Sequence, residues 1–258
     1  MMKTYLMGAA AAAMILTACS GSNESAETGS FTTPGLTFAD AHGHVKSINV
    51  TTSSAELKGD SIVAAENDFY NSSVTYTFDE EGRLKTYTEA FEEKPLLSYQ
   101  VDYQADSIGV ARNILANEEA ALPVRLTFDD KGHIVKFEYA YDDYSEMSRN
   151  VTWEWDDQGR ITSEYFTGCE WAVEHRYNFD DKGLRTSAKQ VSSDMGEEYK
   201  SDETYTYPAF DDNGNWTVRT TTRRQTSIVD DSGNETPSTG AIPEYTIETR
   251  TIEYYPAK

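Results

Sequence analysis

Cysteine is nearly absent from this 258-residue chain: Cys19 and Cys169 are the only two, so no disulfide framework holds it together and its stability has to come from packing. Basic residues are scarce as well. Lys and Arg number 22 against 44 Asp and Glu, a formal charge of −22. That balance excludes nucleic acid as a partner, because a phosphate backbone demands a basic footprint, and it excludes docking on anionic head groups. The four histidines form no metal motif, since His42 and His44 flank Gly43 while His133 and His175 stand alone. There is no Gly-x-Ser-x-Gly elbow, no phosphate-binding glycine loop and no His-Glu-x-x-His segment. No catalytic residue, metal site or cofactor is therefore expected. Excess carboxylate attracts Ca²⁺ in an extracellular setting, but solvated Asp and Glu are far commoner than ligands, and the acidic surface is read as a solubility device.

The N-terminus is informative. Lys3 is the only charge before Cys19, and the apolar stretch from Leu6 to Leu16 is too short to span a bilayer, as expected of the core of a signal peptide. The segment Leu16-Thr17-Ala18-Cys19 resembles the lipobox of bacterial lipoproteins. That resemblance implies cleavage after residue 18 and a lipid on Cys19, which leaves the mature chain without a disulfide and anchors it to a membrane. Residues 19–35 are expected to be a flexible tether, because Ser20 to Ser30 contain no large apolar side chain. By similarity to the sorting logic of enterobacterial lipoproteins, Ser20 points to the outer membrane. Glu24 and Glu27 faintly resemble the surface-export signal of Bacteroidetes lipoproteins, and the periplasmic or cell-surface side stays open. Residues 36–258 are read as one domain, with Cys169 a small packed residue rather than a nucleophile.

Within that domain one pattern recurs: an aromatic or apolar residue, a spacer, an aromatic, Asp, two residues, Gly, and soon an apolar residue. Its copies carry Tyr76, Phe78, Asp79, Gly82 and Leu84; Leu126, Phe128, Asp129, Gly132 and Ile134; Trp153, Trp155, Asp156, Gly159 and Ile161; Tyr177, Phe179, Asp180, Gly183 and Leu184; and Phe210, Asp211, Gly214 and Trp216. Looser copies run from Phe38 through Asp40 and Gly43 to Val45, and from Tyr103 through Asp106 and Gly109 to Val110. With these the period is about 25 residues, one two-stranded unit and its connection. Residues two apart on a strand share a face, so Trp153 and Trp155 point one way and Glu154 the other. The Asp accepts a backbone N–H within the turn and the Gly takes a left-handed conformation. The fold expected is all-β: an antiparallel meander of hairpins forming a twisted or curled open sheet, with a candidate short helix over 107–121. Pro208 makes the strand before Phe210 an edge, a bulge or a late start.

The pieces Phe78-Asp79-x-x-Gly82-Arg83-Leu84 and Trp155-Asp156-x-x-Gly159-Arg160-Ile161 resemble the YD repeats of the RHS family, and more closely the small YD-repeat-like lipoproteins of Bacteroidetes. The resemblance covers about Leu36 to Tyr255 and implies a β-sheet scaffold. Phe or Trp replaces Tyr before Asp, the array is short and no processed toxin follows, so a toxin-enclosing cocoon is not implied. A second resemblance, of Asp60-Ser61-Ile62 and Asp106-Ser107-Ile108 to the Asp-Ser/Thr-apolar pattern of Bacteroidetes O-glycosylation, makes Ser61 and Ser107 candidate glycan sites.

Two function classes remain. One is a scaffold or binding module contacting a glycan or an envelope protein, with Trp171, in an irregular interval, the candidate recognition residue. The other is a glycan-active hydrolase using repeat-loop carboxylates. They separate on whether Asp79, Asp129, Asp156, Asp180 and Asp211 are bonded to their own turns.

Overall fold

The computed structural model describes residues 31–66, 71–105, 108–115, 124–139, 149–168 and 170–256. One helix, α1 (Pro34–Phe38), precedes sixteen strands. In chain order these are β1 (Val45–Lys58), β2 (Ser61–Ala64), β3 (Ser72–Phe78), β4 (Leu84–Phe91), β5 (Lys94–Ala105), β6 (Ile108–Asn113), β7 (Val124–Phe128) and β8 (Ile134–Tyr139). They continue as β9 (Arg149–Trp155), β10 (Ile161–Thr167), β11 (Trp171–Phe179), β12 (Arg185–Asp194), β13 (Glu197–Phe210), β14 (Trp216–Val229), β15 (Glu235–Pro237) and β16 (Glu244–Tyr254).

All sixteen join one antiparallel sheet, ordered β6-β5-β4-β3-β1-β16-β14-β13-β12-β11-β10-β9-β8-β7, with β2 and β15 pairing only to the outer parts of β1 and β14. The meander is therefore closed by its own ends: β16 lies between β14 and β1, in register from Val45–Tyr254 to Ala55–Tyr245. The curl proceeds almost to a barrel. Its two free edges, β6 and β7, are consecutive in the chain and lie side by side. Gly109 on β6 permits that approach, because a Cβ there would sit 2.6 Å from Val101 and 3.0 Å from the ring of Phe128 on β7.

The turns follow the sequence logic. In each of the five close copies the Asp N–H donates to the carbonyl four residues on at 2.9–3.0 Å, and its side-chain Oδ1 accepts the N–H of that same residue at 2.8–3.0 Å. The glycine at the fourth position is left-handed, as at Gly159 with φ +73°, where a Cβ would be strained. A sixth turn of the same geometry, Asp230 to Asn234, joins β14 to β15 at the opposite end of the barrel. Just after the glycine, each outgoing strand carries a bulge, so the pairs Phe78–Leu84, Phe128–Ile134, Trp155–Ile161, Phe179–Arg185 and Phe210–Trp216 stand opposite one another before the register shifts. Pro208 also falls within a bulge, between Thr206 and Ala209.

Three local expectations are corrected. The loose copy around Phe38 to Val45 is not a hairpin: Thr33 caps α1 by accepting the Leu36 N–H at 3.2 Å, and the chain leaves the helix through Ala39 into Asp40, with φ +52°. Gly109 is not a turn glycine but lies within β6 opposite Tyr103. In the interval marked for a helix over 107–121, Ile108–Asn113 is a strand, and residues 116–123 lie outside the described residues.

The core is the concave face. Leu36 of α1 is fully buried among Val45, Ile48, Phe78 and Leu84, and Phe38 sets its edge on Trp153 at 5.1 Å. The helix thus sits in the turn end of the barrel. Tyr76, Tyr87, Tyr99, Phe137 and Tyr139 continue inward as a chain of ring contacts with centroids 5.1–6.4 Å apart.

Candidate functional site: the barrel interior

Strand alternation gives the two faces opposite chemistry. Outward residues bond to one another through polar groups: Asn49 to Thr75 at 2.8 Å, Thr77 to Thr86 at 2.6 Å, Thr88 to Ser98 at 2.7 Å, Lys189 to Asp202 at 2.6 Å and Thr206 to Thr220 at 2.6 Å. A barrel facing hydrocarbon needs an apolar outer band, and this one carries hydroxyls and charges there. Among the described residues no helix is long and apolar enough to cross a membrane.

The inward face holds aromatics together with a charged network. A chamber of about 250 Å³ is walled by Phe38, Asp40, Tyr76, Tyr87, Glu89, Tyr99, Arg149, Trp153, Glu164, Arg185, Trp216, Arg219, Glu248 and Arg250, contributed by α1 and strands all round the barrel. A wider vestibule of about 600 Å³ opens at the turn end between His42, Arg160, Phe179, Lys182, Phe210 and Asn215. The two share Asp40, Ile161, Arg185 and Trp216, which form the throat between them.

The charged groups are specifically paired. Glu89 on β4 receives Arg149 of β9 at 3.0 and 3.1 Å, and Glu248 on β16 receives Arg219 of β14 at 2.5 and 2.9 Å. Asp40 accepts the Trp216 indole N–H at 2.9 Å and Glu164 accepts that of Trp153 at 3.0 Å. Arg250 donates to the carbonyls of Ala39 and Asp40 and covers the face of Trp216 at 3.9 Å, with Arg219 4.6 Å from the same ring. Burial alone would raise the Asp40 carboxyl, but Arg185, Arg250, Arg219 and the indole hydrogen bond outweigh it and hold it below the ordinary value. Burial pushes the Tyr76 phenol up to about 12 and lifts Tyr87 and Tyr99 well above their usual range, so these hydroxyls stay protonated donors.

The residues singled out in the sequence fall elsewhere. Asp79, Asp129, Asp156, Asp180 and Asp211 each spend a carboxylate oxygen on their own turn, and Arg83, His133 and Arg160 add side-chain contacts to Asp79, Asp129 and Asp156 at 2.8–2.9 Å. Trp171 opens β11, is 40% exposed and stacks on Phe166 at 4.8 Å. Ser61 is exposed at the start of β2. Leu16, Thr17, Ala18, Cys19, Ser107 and Cys169 lie outside the described residues. His42 bonds the Asn213 carbonyl at 2.8 Å, His44 stacks on Phe31 at 4.4 Å, and His175 lies 3.7 Å from Glu203. No group of three or more His, Cys, Asp or Glu able to hold a metal ion occurs among the described residues. The lumen residues Arg149, Arg185, Arg219, Arg250, Asp40, Glu89, Glu164 and Glu248 carried no motif, but a signal for some of them exists. In Arg250-Thr251-Ile252-Glu253-Tyr254 the arginine is in phase with two core residues, which marks it as inward-facing.

No family model matches the chain, and no curated protein matches it. Among solved structures it is similar to a porin-like protein from Bacteroides uniformis, at 14% identity over 82% of this chain and 98% of that one, with a TM-score of 0.42. It is also similar to a chain of the TcdB2-TccC3-TEV structure, at 12% identity over 73% of this chain and 11% of that one, with a TM-score of 0.25.

Proposed function

We propose that this protein is an exported lipoprotein of the bacterial outer membrane, a short YD-type repeat scaffold tethered through Cys19, whose barrel interior is a binding pocket for a small polar ligand. One observation carries this reading: the repeat carboxylates are occupied by their own turns, while the Tyr87 and Tyr99 hydroxyls and the Arg185 side chain line a chamber that shares four wall residues with a wider vestibule. Tyr87 and Tyr99 line that chamber, and among the described residues their hydroxyls make no hydrogen bond, although Tyr99 is only 2% exposed. A phenol hydroxyl on the chamber wall is free to donate to a bound ligand. The polar outer face supports a lipid anchor rather than strand insertion as the means of membrane attachment.

Glycoside hydrolysis has no observation in its favour. Its two carboxyls must face a sugar from opposite sides, and Glu89, Glu248 and Asp40 are instead bonded to Arg149, Arg219 and Trp216.

The test is equilibrium dialysis of the purified mature domain against a small-molecule extract of the native organism, with retained compounds identified by mass spectrometry. The comparison is Val50→Trp, which fills the chamber wall, together with Thr52→Trp as a second blocking variant. Compounds retained by the wild type and lost from a folded blocked variant support the reading. Identical retention by all three proteins, or none by any, refutes it.

A further inference from the structure

The five close copies of the repeat place one residue, two after the turn glycine, opposite the last aromatic of the incoming strand. In four copies that residue is apolar and buried: Leu84 at 0%, Ile134 at 2%, Ile161 at 5% and Trp216 at 4% exposure. In the fourth copy it is Arg185, opposite Phe179. The order of the two residues is inverted there. Arg83-Leu84 and Arg160-Ile161 put the cation on the rim and the apolar side chain inside, whereas Leu184-Arg185 puts the leucine in the rim position and the cation inside.

A guanidinium in a position built for an aliphatic side chain is expensive unless it is paired. Arg149 and Arg219 have carboxylates, and Arg250 has two backbone carbonyls. Arg185 lies over the Tyr177 ring at 4.1 Å; among the described residues it makes no hydrogen bond and no close ion pair, and the Asp40 and Glu164 carboxylates act on it only at longer range. It lines both the chamber and the vestibule. All four cations on the chamber wall are arginines, although lysines are as numerous as arginines in the chain. Arginine is the residue whose planar fork matches a carboxylate or phosphate. Beyond the throat, the free hydroxyls of Tyr87 and Tyr99 offer further donors to an oxygen-rich body.

We propose that Arg185 is the anchor of an oxyanion site at the throat of the barrel, and that the ligand is a small polyhydroxylated anion bearing a carboxylate or a phosphate. This rests on the lumen being the binding pocket and names the chemistry it accepts. A ligand of this class supplies both an acceptor pair for the Arg185 fork and hydroxyls for the tyrosines.

The test is thermal unfolding of the mature domain at low ionic strength with glucuronate, glucose 6-phosphate or glucose, for the wild type, Arg185→Leu and Arg185→Lys. Arg185→Leu restores the residue type found in the other copies. We expect it to unfold at about the wild-type temperature, because relief from burying the guanidinium offsets the loss of its attraction to Asp40. Glucuronate, glucose 6-phosphate or both should raise the wild-type Tm saturably, glucose should not, and the rise should vanish in Arg185→Leu and shrink in Arg185→Lys. Which anion acts identifies the carboxylate or the phosphate as the bound group. A lower Tm for unliganded Arg185→Leu would make Arg185 a structural residue and overturn the proposal. Equal stabilisation by glucose, unchanged in Arg185→Leu, overturns the anion site but leaves the lumen as a pocket. No response to any of the three overturns the anion site, and the dialysis experiment then decides the lumen separately.

Discussion

Arg149 on β9 places a single guanidinium nitrogen 3.0 and 3.1 Å from the two carboxylate oxygens of Glu89 on β4. Around the barrel, β5, β6, β7 and β8 separate those two strands, and between β6 and β7 there is no hydrogen-bonded ladder. The ion pair therefore spans the seam from the inside and ties together the two ends of the sheet, whose edge strands are not joined by backbone pairing. Glu89→Gln preserves shape and removes the charge, leaving Arg149 in the lumen without its counter-ion. The expected cost is about 1.5–3 kcal/mol, the range for hydrogen bonds to charged groups. Amide exchange in β6 and β7 should accelerate more than in β13 and β14, where the ladder is continuous. A uniform change along the sheet would show that the seam does not depend on this pair.

The repeat turns allow a sharper comparison between neighbouring acids. Asp156 accepts the N–H groups of Gln158 at 2.9 Å and Arg160 at 3.0 Å and also holds the Arg160 side chain at 2.8 Å. Asp157 beside it projects fully into solvent, with only a 3.9 Å contact to Lys131. Asp156→Ala should cost about 1–3 kcal/mol in urea unfolding, because it leaves turn donors without their acceptor, while Asp157→Ala should change stability by no more than about 0.5 kcal/mol. Equal effects would remove the distinction between the two acids on which the turn argument rests.

The contrast also explains what was legible in the chain. The turn is local: its Asp, its Gly and the N–H groups they satisfy lie within five residues, so composition at fixed offsets reveals it. Asp230-Asp231-Ser232-Gly233-Asn234 falls outside a pattern defined by aromatics, because Ile228 and Val229 precede that turn. Closure was not legible, since the pairing of β1 with β16 joins residues that stand at opposite ends of the domain and no local pattern encodes it. The lumen charges were hidden for a third reason. Bulges after Arg185 and Trp216 shift the alternation by one residue, so Arg219 points inward with Trp216 although an unbroken period of two would send it outward.

Membrane attachment can be separated from barrel insertion. Hydroxyls, Lys189 and Asp202 on the outer face disfavour contact with lipid there, and on the proposed reading attachment should depend on Cys19. Metabolic labelling with radioactive palmitate should mark the wild type and not Cys19→Ser. The substituted protein, carrying a signal peptide cleaved by the general secretory route, should move from the membrane fraction to the aqueous one. Retention of unlabelled Cys19→Ser in the membrane after a carbonate wash would mean that the strands themselves hold it there.

Acid stability follows from the same turns. In Asp129 and Asp156 partial burial tends to raise the carboxyl, but the hydrogen bonds from His133 and Lys131, and from Arg160 and Gln158, outweigh it and hold both below the ordinary value. Glu203 is lowered likewise: burial raises it, and hydrogen bonds from His175 and Tyr205 more than offset that. A folded carboxyl more acidic than its unfolded counterpart contributes stability that is fully present above the unfolded pKa, about 3.9 for Asp and 4.3 for Glu, and is lost as pH falls through the folded value. The unfolding temperature should therefore stay level from pH 7 to about 5 and fall progressively below about pH 4 as the turn and lumen carboxylates protonate. Asp156→Ala, already lacking one such group, should show a shallower acid limb than the wild type, whereas Asp157→Ala should follow the wild-type curve. A wild-type decline beginning near pH 6 would instead place the sensitivity in histidine protonation, whose unperturbed midpoint lies near 6.5, and would remove the turn carboxylates as its source.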